Sequence, residues 1–271
     1  MPSLKAGTLA QLVEQWTENP CVPGSIPGGT TSKVKTLGLP GVFLYSPSDV
    51  TLFCFRIFRL TMNRQKNLLS IVYLIFSLIM ISISPYGEAP YTGKELYLNN
   101  IGTLFLLALL VIDSYKNVLS KIGFRGLFLF SIFHSIGSTW LYSFVPYNDW
   151  FIGLSGFDID SYFEFTRNHY DRFVHFSFGL LLMGATRDLI ISKYKFNERQ
   201  GLLVAFLGIQ MFSMVYELFE WGIAVSLSEG MAESYNGQQG DVWDAHKDMA
   251  LAMLGSLLTW VFFRLKPKKT S

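Results

Sequence analysis

The sequence predicts an all-α fold, a polytopic membrane helix bundle of about six transmembrane helices with both termini cytoplasmic. Three observations predict it. Half of the 271 residues are hydrophobic and only 15% are charged, against about 25% in soluble domains, and mean hydropathy is +0.32. The apolar residues come in long runs broken by short charged stretches, not scattered with the period of a surface helix. Basic residues gather in alternate connecting segments, which sets an orientation. The same counts exclude other classes. Such a hydrophobic chain is not disordered, and a net charge of +2 without a basic face leaves no nucleic-acid partner. Both Cys precede residue 55, so neither a disulfide framework nor a thiolate metal site is expected.

Residues 1–61 read differently from the rest. Ala10 to Pro20 has no usable period, and Pro20 to Gly29 is punctuated by Pro and Gly. No positive end precedes a short apolar core, so signal-peptide grammar does not fit. Written backwards into codons, the segment resembles a transfer-RNA gene translated in frame. Gly24-Ser25-Ile26-Pro27 fits a T-arm, Trp16 to Pro20 fits a hairpin presenting the anticodon GAA, and Ala10 to Gln15 fits a D-arm. The expectation is a mistranslated, disordered upstream segment with Met62 as the true start. The alternative is a disordered tail followed by a short apolar segment, Val42 to Leu60. From Met62 the chain has 17 basic residues, 17 acidic residues and no Cys.

Six apolar spans follow: Leu68–Ser84, Leu96–Ile112, Phe124–Val145, Arg172–Ile191, Gly201–Val225 and Asp244–Leu265. At 1.5 Å per residue, about 20 residues cross the hydrocarbon core. The second is short and carries Asn99 and Asn100 at one end. The sixth is fully apolar only from Met249, so its first turns belong at an interface or in a polar cavity. Thirteen basic residues fall on one side: Arg64 and Lys66, then Lys116, Lys121 and Arg125, then Arg187, Lys193, Lys195 and Arg199, then Arg264, Lys266, Lys268 and Lys269. The other side has four, Lys94, Arg167, Arg172 and Lys247, among twelve acidic residues. The basic side is cytoplasmic. Trp140, Trp150, Trp221 and Trp243 sit near the outer boundary, where an interfacial aromatic belt belongs. Residues 62–271 read as one six-helix domain.

Ionisable residues inside spans are expensive and point to function. Asp171 and His175 share a helical face at i, i+4. Glu217 and Glu220 stand at i, i+3 in the fifth span, about 15 and 10 Å from its outer end. Asp241, Asp244 and Asp248 share one face if their stretch is helical. His134 in the third span lies at a depth like that of Glu217. These faces are expected to converge on one outward-facing polar cavity. Its Asp, Glu and His side chains suit Mg, Mn, Zn or Fe and not copper(I). Alternatively the carboxylates share protons, because acids this close in a low dielectric cannot all ionise. Plainer readings stand beside these. Arg172 with Asp171 suits an interfacial ion pair, and His134 suits a hydrogen bond gluing helices together. Asp188 beside Arg187 suits a solvated pair, and His169 and His246 suit exposed loops. Gly179, Gly184 and Gly255 suit close packing between helices.

Three strings carry a specific resemblance: YDRFVHFSFGLLL from Tyr170, YELFEWGIA from Tyr216 and YNGQQGDVWDAHKDMALAMLGS from Tyr235. They resemble the YjdF-like bacterial inner-membrane proteins, a family without assigned function, over essentially Met62 to Ser271. More loosely, the order of motifs resembles VanZ-like membrane proteins, with Asp171, His175, Glu217, Glu220, Asp244, Asp248 and Gly255 in the corresponding places. The pattern departs at Glu220, which is often amidic there, and at Ala252, where an Asn is common. VanZ-like proteins are linked to glycopeptide-antibiotic tolerance, which implies a role in the cell envelope.

The reading is thus a multi-pass inner-membrane protein whose partners are the lipid bilayer and a lipid or lipid-linked substrate. The candidate catalytic residues are Asp171, Arg172, His175, Glu217, Glu220, Asp241, Asp244 and Asp248. Of these, His175, Glu217, Glu220, Asp244 and Asp248 are candidate ligands of a divalent metal ion, and Arg172 is a candidate phosphate holder. The alternatives are a small proton-coupled transporter, with Glu217 and Glu220 carrying the proton, and a non-catalytic membrane scaffold. N-terminal sequencing of the protein made from its own gene is expected to begin at Met62 or Asn63. Residues from before Met62 would refute the mistranslation reading.

Overall fold

A computed structural model describes residues 47–85, 94–226 and 239–265. The chain divides into two compact units, Met1–Arg64 and Gln65–Ser271. In the first, residues 1–46 lie outside the described residues, and with them most of the segment read as mistranslated; residues 47–64 are helical. Among the described residues there are helices and no strand. They are α1 (Pro47–Ser82), α2 (Lys94–Lys116), α3 (Lys121–Thr139), α4 (Tyr147–Ser155), α5 (Ile159–Tyr162), α6 (Tyr170–Tyr194), α7 (Glu198–Ser226) and α8 (Asp244–Leu265). Each of the six expected spans overlaps one long helix. Among the described residues, four segments are long and apolar enough to cross a membrane, Arg64–Ser82, Tyr170–Tyr194, Glu198–Ser226 and Asp244–Leu265; α2 and α3, which carry the second and third expected spans, are not among them.

The third span departs from expectation. It was expected to run to Val145, yet α3 ends at Thr139. There the chain folds back on itself, with the N–H groups of Trp140 and Tyr142 both donating to the Gly137 carbonyl and with Leu141 and Tyr142 at positive φ. Apolar residues continue through the turn because it is packed inward, Leu141 and Val145 being fully buried. Hydropathy alone does not separate such a turn from a helix. The short helices α4 and α5 were not expected. Asp158 caps α5 by accepting the Ser161 N–H, and Asn148 binds both the Asp158 carboxylate and the Ile159 N–H.

The bundle is inside-out by the standards of a soluble protein. On α8 the buried residues past the first turns are Ala252, Gly255, Ser256 and Thr259, while Met253, Leu254, Leu257, Leu258, Val261 and Phe262 are exposed. On α1, Ser70, Tyr73 and Ser77 face inward and Leu68, Ile71, Ile75, Leu78 and Ile79 face outward. So much exposed apolar surface suits a lipid environment. In lipid the large apolar residues gain nothing by turning inward, so small residues take the interfaces and let backbones approach.

Helix α6 is the hub, packed against α3, α7 and α8. A Cβ at Gly179 would lie 1.9 Å from the Ala252 carbonyl oxygen, and one at Gly255 would lie 2.2 Å from that of Phe176. Thr259 donates to the Leu180 carbonyl at 2.6 Å. Gly126 of α3 makes the same kind of approach to the Leu181 carbonyl on another side of α6. Gly184 is buried but packed less tightly: its Cβ would meet the Phe263 ring at 3.5 Å and the Gly123 Cα of α3 at 3.8 Å, both ordinary contacts.

At the end of the bundle where α6 finishes, two expectations are corrected. Lys66 is not a loop charge but is buried on α1, pairing with Asp113 at 2.7 Å and donating to the Leu119 carbonyl. Asp113 also accepts the N–H groups of Val118 and Leu119. Asp188 is not a solvated partner of Arg187. It is buried and accepts the Ser120 N–H at 2.8 Å as well as the Arg187 guanidinium. A buried charge persists only when its remaining hydrogen-bonding capacity is met, and the α2–α3 link supplies those groups.

Overpacking a tight contact costs about 1 to 3 kcal/mol. Gly179→Ala and Gly255→Ala are each expected to lower the melting temperature of the detergent-solubilised protein by several degrees. Gly184→Ala is expected to leave it unchanged or slightly raised, since Ala favours a helix. Equal melting temperatures for all three would show that the α6–α8 approach is not tight.

Candidate functional site

The opposite end of the bundle gathers the chemistry. The first turn of α6 carries Asp171 and, one turn on, His175; the first turn of α8 carries Asp244 and, one turn on, Asp248. The Gly179–Ala252 approach lies one further turn along both helices, so the two ladders meet in register. Asp171, His175, Asp244 and Asp248 are all buried, Asp248 at 2% exposure.

His175 lies at the centre. Its Nε2 is 3.7 Å from Asp171 Oδ1 on its own helix and 3.6 Å from Glu217 Oε1 on α7. Both separations exceed a good hydrogen bond, so the three groups surround a space rather than close it. Asp248 reaches the same space: one ligand atom each from Asp171, His175 and Asp248 lie within 4.8 Å of one another. Among the described residues, Glu217 Oε1 and Asp248 Oδ1 are buried with no hydrogen-bond partner. Such atoms ordinarily find one, because leaving them bare costs about 1 to 3 kcal/mol.

A second layer, nearer the start of α8, is ion-paired. Asp244 accepts from Arg167 through both oxygens, at 2.7 and 3.4 Å, and from Arg172 at 3.0 Å. Asp241 accepts from Arg172 and Lys247. Hydrogen bonds from Lys247 and the Trp243 N–H, with Arg172 beside them, hold the Asp241 carboxyl well below the usual carboxylate range. Arg172 therefore pairs with Asp241 and Asp244 and not with the adjacent Asp171. Nor do Asp241, Asp244 and Asp248 share one helical face. The helix begins at Asp244, and Asp241 precedes it in a turn whose carbonyl accepts the Asp244 N–H. Asn168 and Gln239 hold the approaches to α6 and α8 together through two hydrogen bonds.

Two cavities flank the inner cluster. One, of about 410 Å³, lies among α2, α3, α6 and α7 and is walled mostly by apolar residues, Phe and Leu foremost, with Asp171 and His175 on one side. His134 also lines it, its Nδ1 hydrogen-bonded to the Tyr142 hydroxyl at 2.6 Å; that bond ties α3 to the turn that follows it and does not join two helices. The other, of about 300 Å³, lies between α7 and α8 and is lined by Glu217, Glu220, Asp244, His246 and Asp248. His246 is exposed but sits in the first turn of α8, packed on Trp243. His169 is half-buried against Phe165. Burial, with Arg172 and Arg167 nearby, holds its imidazole below the usual value. Neither histidine is the exposed loop residue expected.

Seven of the eight candidate residues thus lie in these two layers, and Glu220 lines the adjoining cavity between α7 and α8. Arg167 is the residue that the sequence reading passed over, counted only for its charge. It lies in the loop four residues before Asp171, and its partner Asp244 is 77 positions away. Its one local signal is that it is among the few basic residues on the acidic side.

Helices of this length and surface, around buried carboxylates and a histidine, define an all-helical membrane protein. The family described as "Predicted membrane protein (DUF2238)" matches residues 66–269, and the chain belongs to it. It is 30% identical over 162 residues to inner membrane protein YjdF of Escherichia coli (strain K12), covering 59% of this chain and 72% of that protein. This bears out the resemblance carried by the three strings. No solved structure matches.

Proposed function

We propose that this protein spans the bacterial inner membrane six times, with both termini cytoplasmic, and acts on an envelope lipid or lipid-linked substrate at an outward-facing Asp/Glu/His site. The family, the E. coli relative and the candidate spans support the membrane location. The basic residues concentrated at one end support the orientation. One observation carries the substrate class: the 410 Å³ apolar cavity and the acid/His cluster share Asp171 and His175 as a common wall. A pocket of that size, apolar with a few convergent polar groups, is the usual form of a small-molecule site. An amphiphile fits it, with its chain among the Phe and Leu side chains and its polar end at His175. A soluble polar substrate leaves the apolar cavity without purpose.

A polyprenyl phosphate carrying a diazirine in its chain tests this in proteoliposomes. Photolysis is expected to label peptides of α2, α3, α6 or α7 that line the cavity, and Val215→Trp, which fills it from α7, is expected to reduce that labelling several-fold. Glu217→Gln is expected to fold and to keep the labelling, because it changes the cluster and not the cavity. Labelling spread over the exposed faces of α1 and α8, and indifferent to Val215→Trp, would refute the reading.

A further inference from the structure

We infer that Asp171, His175 and Asp248 form a binding site for one divalent transition-metal cation, zinc or manganese, held between α6 and α8. The first support is geometric. Ligand atoms around such an ion stand about 2.0 to 2.2 Å from it, so neighbouring ligand atoms in a tetrahedral site are about 3.4 Å apart, close to the 3.7 Å between His175 Nε2 and Asp171 Oδ1. The three candidate atoms already lie within 4.8 Å of one another, and a small side-chain rotation closes the remainder.

The second support is independent of the clustering. Asp248 is 2% exposed, and its Oδ1 has no hydrogen-bond partner among the described residues. Glu217 Oε1, across His175, is in the same condition. The guanidinium groups that could neutralise these carboxylates are directed elsewhere, to Asp241 and Asp244. Among the described residues, then, Asp248 Oδ1 and Glu217 Oε1 are buried acceptors that no hydrogen bond reaches, and a cation would satisfy them.

The donor set selects the ion. One imidazole nitrogen with two carboxylate oxygens is too nitrogen-rich for calcium, which takes oxygen ligands, and contains no thiolate or thioether to favour copper(I). Three protein ligands leave coordination positions for water or a substrate oxygen, as catalytic zinc sites do. Asp244, an expected ligand, is not part of the set because both its oxygens are engaged by Arg167 and Arg172. Asp171, which was not expected to ligate, takes its place. Register depends on the backbone approach one turn deeper, where Gly179 meets Ala252.

The site shares Asp171 and His175 with the lipid reading but does not depend on it, and its test uses the metal alone. The full chain, purified in mild detergent without a metal-affinity step and stripped with chelator, is titrated with zinc and with manganese by calorimetry and elemental analysis. One ion per chain and a rise in melting temperature are expected. Asp248→Asn and His175→Gln, each shown to be folded by gel filtration and circular dichroism, are expected to lose at least tenfold in affinity. Cobalt gives a second readout: its visible absorption is expected to shift in His175→Gln, where a nitrogen ligand is lost, even if some binding persists. Failure of the wild type to bind a stoichiometric ion, or binding equal in both variants, would overturn the site. Lipid labelling could succeed or fail in either case.

Discussion

With no room for a single Cβ between Gly179 and the Ala252 carbonyl, or between Gly255 and that of Phe176, α6 and α8 meet backbone to backbone. Everything at the polar end follows from this contact. It holds the first turns of the two helices so close that Asp171 and His175 face Asp244 and Asp248 in register, with α7 bringing Glu217 in from a third side. In a bilayer no hydrophobic driving force holds helices together, and close packing with occasional hydrogen bonds must do so. The contact that confers stability thereby also places the carboxylates side by side.

Those carboxylates are handled in two ways. Asp241 and Asp244 are neutralised by Arg167, Arg172 and Lys247, within reach of the half-buried loop that precedes α6. Asp171, Glu217 and Asp248 face a histidine and one another. A scaffold would gain by replacing them with apolar residues, since an ion-paired interior is seldom more stable than a hydrophobic one of the same shape. The arrangement makes sense as a site that holds something positive or passes a proton, next to a cavity suited to a hydrocarbon chain. At the far end, the Lys66–Asp113 pair and the bonds to Asp188 serve a different purpose, fixing the α2–α3 link against α1 and α6.

Much of this was legible in the sequence. The length of the apolar runs and the charged breaks between them place the six long helices. The expense of a charge in a membrane singles out Asp171, His175, Glu217 and Asp248. What was not legible is pairing over distance. Arg167 finds Asp244 across 77 residues and Lys66 finds Asp113 across 47, and no local period encodes either. The end of α3 was misplaced because the turn from Trp140 to Val145 is as apolar as the helix before it and is distinguished only by its backbone. Small residues were recognisable as packing positions, but Gly184, buried in ordinary contact, shows that a glycine in an apolar helix does not announce how close its neighbour comes.

The central claim is that the acid/His cluster opens to the outer face of the membrane. It is tested most directly by cysteine accessibility, with Cys21 and Cys54 replaced by Ser and single cysteines placed at His246, exposed beside the polar cavity, and at Lys193, at the other end of α6. In intact spheroplasts a membrane-impermeant maleimide is expected to label His246→Cys and to spare Lys193→Cys. In inverted vesicles the pattern is expected to reverse. Labelling of Lys193→Cys from outside, with His246→Cys protected, would place the site on the cytoplasmic face and contradict the account.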